Sequence, residues 1–154
     1  MGDWTNHDEA MADLSALPPE ERLQALMRKW TGETESLTGE DVRKLFVYAW
    51  PDGRDSIDDR SPELLTMLRW IAPVRDGTTY LVGDLTVFRA AADDTGLRWT
   101  LDEAVATAAA QGDNSLFRAT VAASDVFGHF NADGRNEVLV NPQNFTSLER
   151  VSPA

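Results

Sequence analysis

The sequence predicts an α+β fold. An N-terminal helical subdomain spans residues 1–75, and a small mixed β-sheet core with one main helix spans residues 80–154. Three observations predict it. Before Val74, apolar residues recur at helical spacing in three separate stretches. From Val74 onward, β-branched and aromatic runs bounded by Gly, Asp and Asn take over. A single Ala-rich stretch, residues 101–111, interrupts those runs.

Residues 1–16 are acidic and weakly patterned, and read as a loose arm. In "LPPEERLQALMRKW", Pro18-Pro19 opens a helix. Glu20 and Glu21 suit its positive end, and Arg28-Lys29 suits its negative end. Leu23, Leu26, Met27 and Trp30 form its apolar face, and "TGETES" ends it. A second helix begins at Thr38, which makes a capping box with Asp41. Val42, Leu45, Phe46 and Ala49 are its stripe, and Pro51-Asp52-Gly53 is its stop. "RDSIDDR" is a polar loop. "SPELLTMLRWIA" is a third helix, with Ser61 as cap, Pro62 at the first helical position, and Leu64, Leu65, Leu68 and Ile71 facing inward.

In the second half, "APVRDGTTYLVGD" carries turn signals at Asp76-Gly77 and Gly83-Asp84 around a short Thr/Tyr/Val run. Residues 85–90, 115–122, 137–141 and 146–151 read as strands. Thr100 with Glu103 makes a capping box for a helix over 101–111. "NADGRN" is a turn before the third of these strands.

The totals exclude several classes of chemistry. There is no cysteine, so disulfides, thiolate metal sites and Cys nucleophiles are absent. The two histidines, His7 and His129, share no metal-ligand spacing, and no metal site is predicted. "DGRDSIDDR" is acid-rich but lacks the ligand register of a calcium loop. The net charge of −12 argues against a nucleic-acid binder and suits a basic partner or simple solubility. No apolar run approaches the roughly 20 residues that span a bilayer. The expectation is a soluble cytoplasmic protein with no membrane partner.

Four residues invite a functional reading. Arg89 follows the apolar run Thr86-Val87-Phe88 at a strand end. Its planar fork suits a phosphate or ribose contact, or an internal pair with Asp93, Asp94 or Glu137. Trp99 is either a core anchor or a surface for a flat ring. Thr100 is explained by helix capping. Glu137 opens an apolar strand, and either acts on a ligand or pairs with Arg135 or Arg89.

The order of these pieces is strand-Arg, then Gly96-x-x-Trp99-Thr100 opening a helix, then "LFRATV", "DVFGHF" and "EVLVNP". It resembles a minimal ADP-ribosyltransferase-type fold of the arginine–serine–glutamate class, over about residues 80–151. The resemblance implies an NAD-dependent ADP-ribosyltransferase or NAD glycohydrolase, with NAD as substrate and a protein as a candidate acceptor. Arg89, Trp99 and Thr100 would hold NAD, and Glu137 would be catalytic, with Arg89 and Glu137 facing each other across one cleft. Tyr80 and Phe117 would be candidate aromatic walls. A carboxylate there would stabilise the oxocarbenium-like state as the nicotinamide–ribose bond breaks. The chain departs from the pattern at Ala90 (Gly expected), Arg98 (Ser expected) and Arg135 (Glu or Gln expected). These departures define the alternative: an acidic, non-catalytic interaction or inhibitor protein, of the immunity or phage-accessory type, on a degenerate form of the fold.

Overall fold

A computed structural model describes residues 4–30 and 37–151. The "TGETES" break falls outside those residues. The chain divides into two compact units, Met1–Val74 and Arg75–Ala154. Its class is α+β.

The first unit is helical: α1 (His7–Ser15), α2 (Arg22–Trp30), α3 (Gly39–Gly53) and α4 (Pro62–Ile71). The expected loose arm is instead α1. Asn6 caps it by accepting from the Glu9 amide (2.9 Å), and Ala10 and Leu14 are buried. Trp4 is also buried, and its indole N–H donates to Asp13 (2.8 Å). The pattern was too sparse to read because a small residue, Ala10, stands on the buried face. The α3 capping box forms as expected: the Asp41 amide donates to the Thr38 hydroxyl, and the Thr38 amide donates to the Asp41 carboxylate, both at 3.1 Å. Val42, Leu45, Phe46 and Ala49 are all buried. The Pro51-Asp52-Gly53 stop holds: α3 ends at Gly53. Pro51 falls in the last turn, where a missing amide costs only one hydrogen bond. Ser61 caps α4 and Pro62 opens it, but Met67 rather than Leu65 completes the buried face.

Two arginines tie helix ends down. Arg22 donates to the Leu14 carbonyl in the last turn of α1 and to the Leu17 carbonyl beyond it, and Arg43 donates to the Ile71 carbonyl that ends α4 (3.1 Å). The last carbonyls of a helix lack an amide four residues on, and side-chain donors can serve them. Phe46 and Trp50, both buried on α3, stack at 5.5 Å.

The second unit carries β1 (Val74–Arg75), β2 (Asp84–Ala91), β3 (Arg98–Thr100), α5 (Glu103–Ala109), β4 (Ser115–Ala122), β5 (Val126–Phe130), β6 (Glu137–Val140) and β7 (Ser147–Val151). They form one seven-stranded sheet in the order β1-β5-β6-β3-β2-β4-β7. The pairings β2–β3, β2–β4, β3–β6, β4–β7 and β5–β6 are antiparallel. One face buries Val87, Trp99, Phe117, Ala119, Val121, Val138 and Val140. Strands β2, β4, β6 and β7 were legible; β1, β3 and β5 were not. The expected helix over 101–111 is shorter, and Thr100 does not cap it. Asp102 does, accepting from the Ala104 and Val105 amides at 2.9 and 3.4 Å. Among the described residues no helix is long and apolar enough to cross a membrane.

Two predictions follow from the helical unit. A Cβ added at Gly53 would lie 2.5 Å from the Leu23 Cβ, whereas one at Gly39 meets nothing nearer than 3.6 Å. Gly53→Ala should therefore lower stability by about 1–3 kcal/mol in urea unfolding, as overpacking does, while Gly39→Ala stays near neutral. Asp41's carboxyl is held below its ordinary value, first by the Thr38 amide and then by the Thr38 hydroxyl. A depressed folded-state pKa adds stability that is present above the unfolded value and lost as pH falls through the folded one. Acidification below the ordinary value of 3.8 should thus weaken the wild type more than Asp41→Asn in pH-dependent unfolding.

Candidate functional site

Strands β2, β3 and β6 are neighbours, so the sequence-selected residues lie on three adjacent strands. The register decides where each one points. Phe88 lies opposite Thr100, and Thr100 lies opposite Glu137. Cross-strand partners share a face, so these three point the same way. Side chains alternate along a strand. Arg89 and Trp99, each one position from a member of that row, leave on the other face. That is the face of Val87, Phe117 and Val138, whose partners are Ala119, Arg89 and Trp99. The expected cleft, with Arg89 facing Glu137, is not the arrangement found.

Each residue also has an internal role. Arg89 is only 9% exposed. Its Nε donates to the Asp93 carbonyl and its NH1 to the Arg98 carbonyl, both at 3.0 Å, and its NH2 lies 3.4 Å from the Asp93 carboxylate. Of the acids considered, Asp93 is the partner. Trp99 is buried in the core cluster; its Nε1–H donates to the Gly96 carbonyl (2.9 Å), and its ring meets the edge of Phe145. Thr100 donates its hydroxyl to the Arg135 carbonyl (2.7 Å) and accepts from the Asp102 amide (3.0 Å), fastening β3 to the turn before β6.

Glu137 is not paired with Arg135. Its partner is Arg98, whose Nε and NH2 both lie 3.1 Å from one carboxylate oxygen. The side chains are 22% and 10% exposed, so the pair is largely withdrawn from water. Arg98 is the residue that the sequence reading passed over. It was visible as a departure from the resembled pattern, but only the register puts it diagonal to Glu137 on one face. Arg135 turns instead to Asp133, at 3.8 Å.

The turn that delivers Glu137 is clamped from several sides. The Asp76 carboxylate accepts from the Asn131 and Ala132 amides at 3.0 and 2.8 Å. Asn131 accepts from the Asn136 amide (3.0 Å), and the His129 ring nitrogen Nε2 meets Asn136 Oδ1 at 2.6 Å. Asn136 holds φ 49 and Gly134 φ 79, the left-handed region that Asn and Gly tolerate best. This network sets the position of β6 firmly.

Of the two candidate aromatic walls, Phe117 belongs to the core, while Tyr80 is 74% exposed. An open groove of about 320 Å³ lies in the helical unit, bordered by Met27, Arg28, Ile57 and Glu63, and none of the sequence-selected residues lines it. No group of three or more His, Asp or Glu among the described residues could hold a metal ion. No protein-family model matches the chain, and comparisons with curated proteins and with solved structures return no match.

Removing Arg98 should leave a buried carboxylate without its ion-pair partner. Arg98→Met should cost about 2–4 kcal/mol in chemical denaturation, short of a fully buried orphan because Arg98 is 22% exposed. Adding Glu137→Gln should recover part of that loss, giving a positive coupling in a double-mutant cycle. Purely additive losses would mean that the pair carries no coupling.

Proposed function

We propose that the chain is an acidic, non-catalytic interaction protein, of the inhibitor or immunity type, on a degenerate ADP-ribosyltransferase-like sheet. The carrying observation is that both catalytic-type charges are closed internally: Glu137 on Arg98, and Arg89 on Asp93 and the Arg98 carbonyl. A ligand anion would have to displace Asp93 from a 9%-exposed arginine, and an oxocarbenium-like ribose would have to compete with Arg98 for Glu137. Neither exchange is favoured without compensating contacts, since a buried charge that loses its partner is costly. The net charge of −12 supports long-range attraction to a partner with a basic face.

A second reading is NAD-dependent ADP-ribosyl transfer or NAD glycohydrolysis. One observation favours it: β2, β3 and β6 are adjacent, and Arg98 links Arg89, through its carbonyl, to Glu137, through its side chain. The two readings separate in one experiment. Folded protein is incubated with NAD labelled in the nicotinamide ring, and release is measured beside an NAD-dependent thermal shift. The interaction reading expects neither signal. Release that disappears in Glu137→Ala would replace it with the enzyme reading.

A further inference from the structure

We propose that the Arg75–Tyr80–Val82 corner of the second unit is a docking site for a partner segment that presents a carboxylate beside an apolar side chain. The argument starts from the arginines of this unit. Arg89, Arg98, Arg118 and Arg135 each face a carboxylate: Asp93, Glu137, Glu149 and Asp133. Arg150 stands on the exposed edge strand β7. Arg75 differs from all of these. It is half-buried, and its guanidinium carbon sits 4.2 Å from the centre of the Tyr80 ring. No carboxylate accepts from it among the described residues. The acid beside it, Asp76, is already engaged with the Asn131 and Ala132 amides. In a chain with 26 acids and 14 bases, an arginine stacked on a ring instead of an acid is a cation left available. The stack holds the planar fork at one angle, so a carboxylate can take it side-on with two parallel hydrogen bonds.

The neighbouring surface supplies the apolar half. Tyr80 is 74% exposed and Val82 is 79% exposed, the two highest values among the large apolar residues. Leu81 between them packs against the core cluster of the sheet, which anchors the segment. Alternation then turns both neighbours to solvent. An exposed Tyr stacked on a half-buried Arg, on a held backbone, matches the composition of interface hot spots. The overall negative charge steers partners over distances comparable to the Debye length, about 8 Å, whereas Arg75 acts at contact, so a basic-faced partner can still place one carboxylate here.

The site is tested on the full chain with 3-phenylpropionate, a carboxylate on an apolar body, and with its neutral amide as the matched control. The Arg75 Nε–H and Tyr80 ring signals are followed by NMR. Saturable shifts of both are expected with the carboxylate, and at least about threefold weaker binding with the amide, the scale of one exposed ion pair. Arg75→Gln should remove the difference between the two probes, and Tyr80→Ala should weaken both. Both substitutions lie outside the core, so folding is retained, and an unchanged thermal midpoint verifies it. Equal binding of the two probes, or equal shifts at Arg150 and Arg118, would overturn the proposal. So would the absence of saturation at Arg75. Nicotinamide release, which would sink the non-catalytic reading, leaves this result unaffected.

Discussion

A three-residue strand holds the sheet of the second unit together. β3 stands between β6 and β2, and among the described residues it is the strand that joins β1–β5–β6 to β2–β4–β7. Three residues give too few backbone bonds to carry that junction alone. The side chains and flanks make up the difference. Trp99 enters the core, Thr100 bonds the Arg135 carbonyl, Arg98 bonds Glu137, and the Arg98 carbonyl receives Arg89. Just outside, the Leu97 carbonyl accepts from Val140 and the Leu101 amide donates to Asn136. Arg89, Trp99, Thr100 and Glu137, the candidate cofactor and catalytic residues, are therefore also fastenings of this junction.

That double role explains the functional reading. A buried polar group must be satisfied, and a network that is fully satisfied is costly to open. In an active site the same groups would be satisfied by ligand or water and would tolerate exchange. Here Arg89 and Glu137 are satisfied by protein, on opposite faces of the sheet, and opening either one loosens the strand that joins the two halves. Selection for a stable junction and selection for an open cleft pull these residues in different directions. The contacts of Arg98, which replaces an expected serine with a long cation, stand on the side of the junction.

Much of the fold was legible because its signals are local. Capping at Thr38 and Ser61, and stripes such as Val42-Leu45-Phe46-Ala49, depend only on neighbours within one turn. β2 and β4 run for eight residues each, long enough to read. β3 and β1 are too short to hold a period, and α1 was lost because a small residue, Ala10, stands on its buried face. For the candidate site, residue types and strand ends were legible, and Asp93 was among the partners considered for Arg89. The facing was not. It follows from pairing register, which links residues 39 apart in sequence, Arg98 and Glu137, and a shift of one residue would invert it. Thr100 shows the same limit. Its hydroxyl suited a cap three residues ahead of Glu103, but a carbonyl 35 residues away took it.

The segment from Arg75 to Gly83 shows why alternation alone does not define a strand. Tyr80, Leu81 and Val82 alternate out, in and out, as a half-buried strand would, and the sequence shows a short Thr/Tyr/Val run there between two turn signals. The backbone pairs with no ladder, because a strand needs neighbours as well as a pattern. What alternation still accomplishes is orientation: one apolar residue anchors the chain to the core, and the two beside it face solvent. Without a strand partner on either side, those two side chains stay largely exposed. Tyr80, paired in no ladder, stacks on Arg75 and is the most exposed aromatic residue among those described.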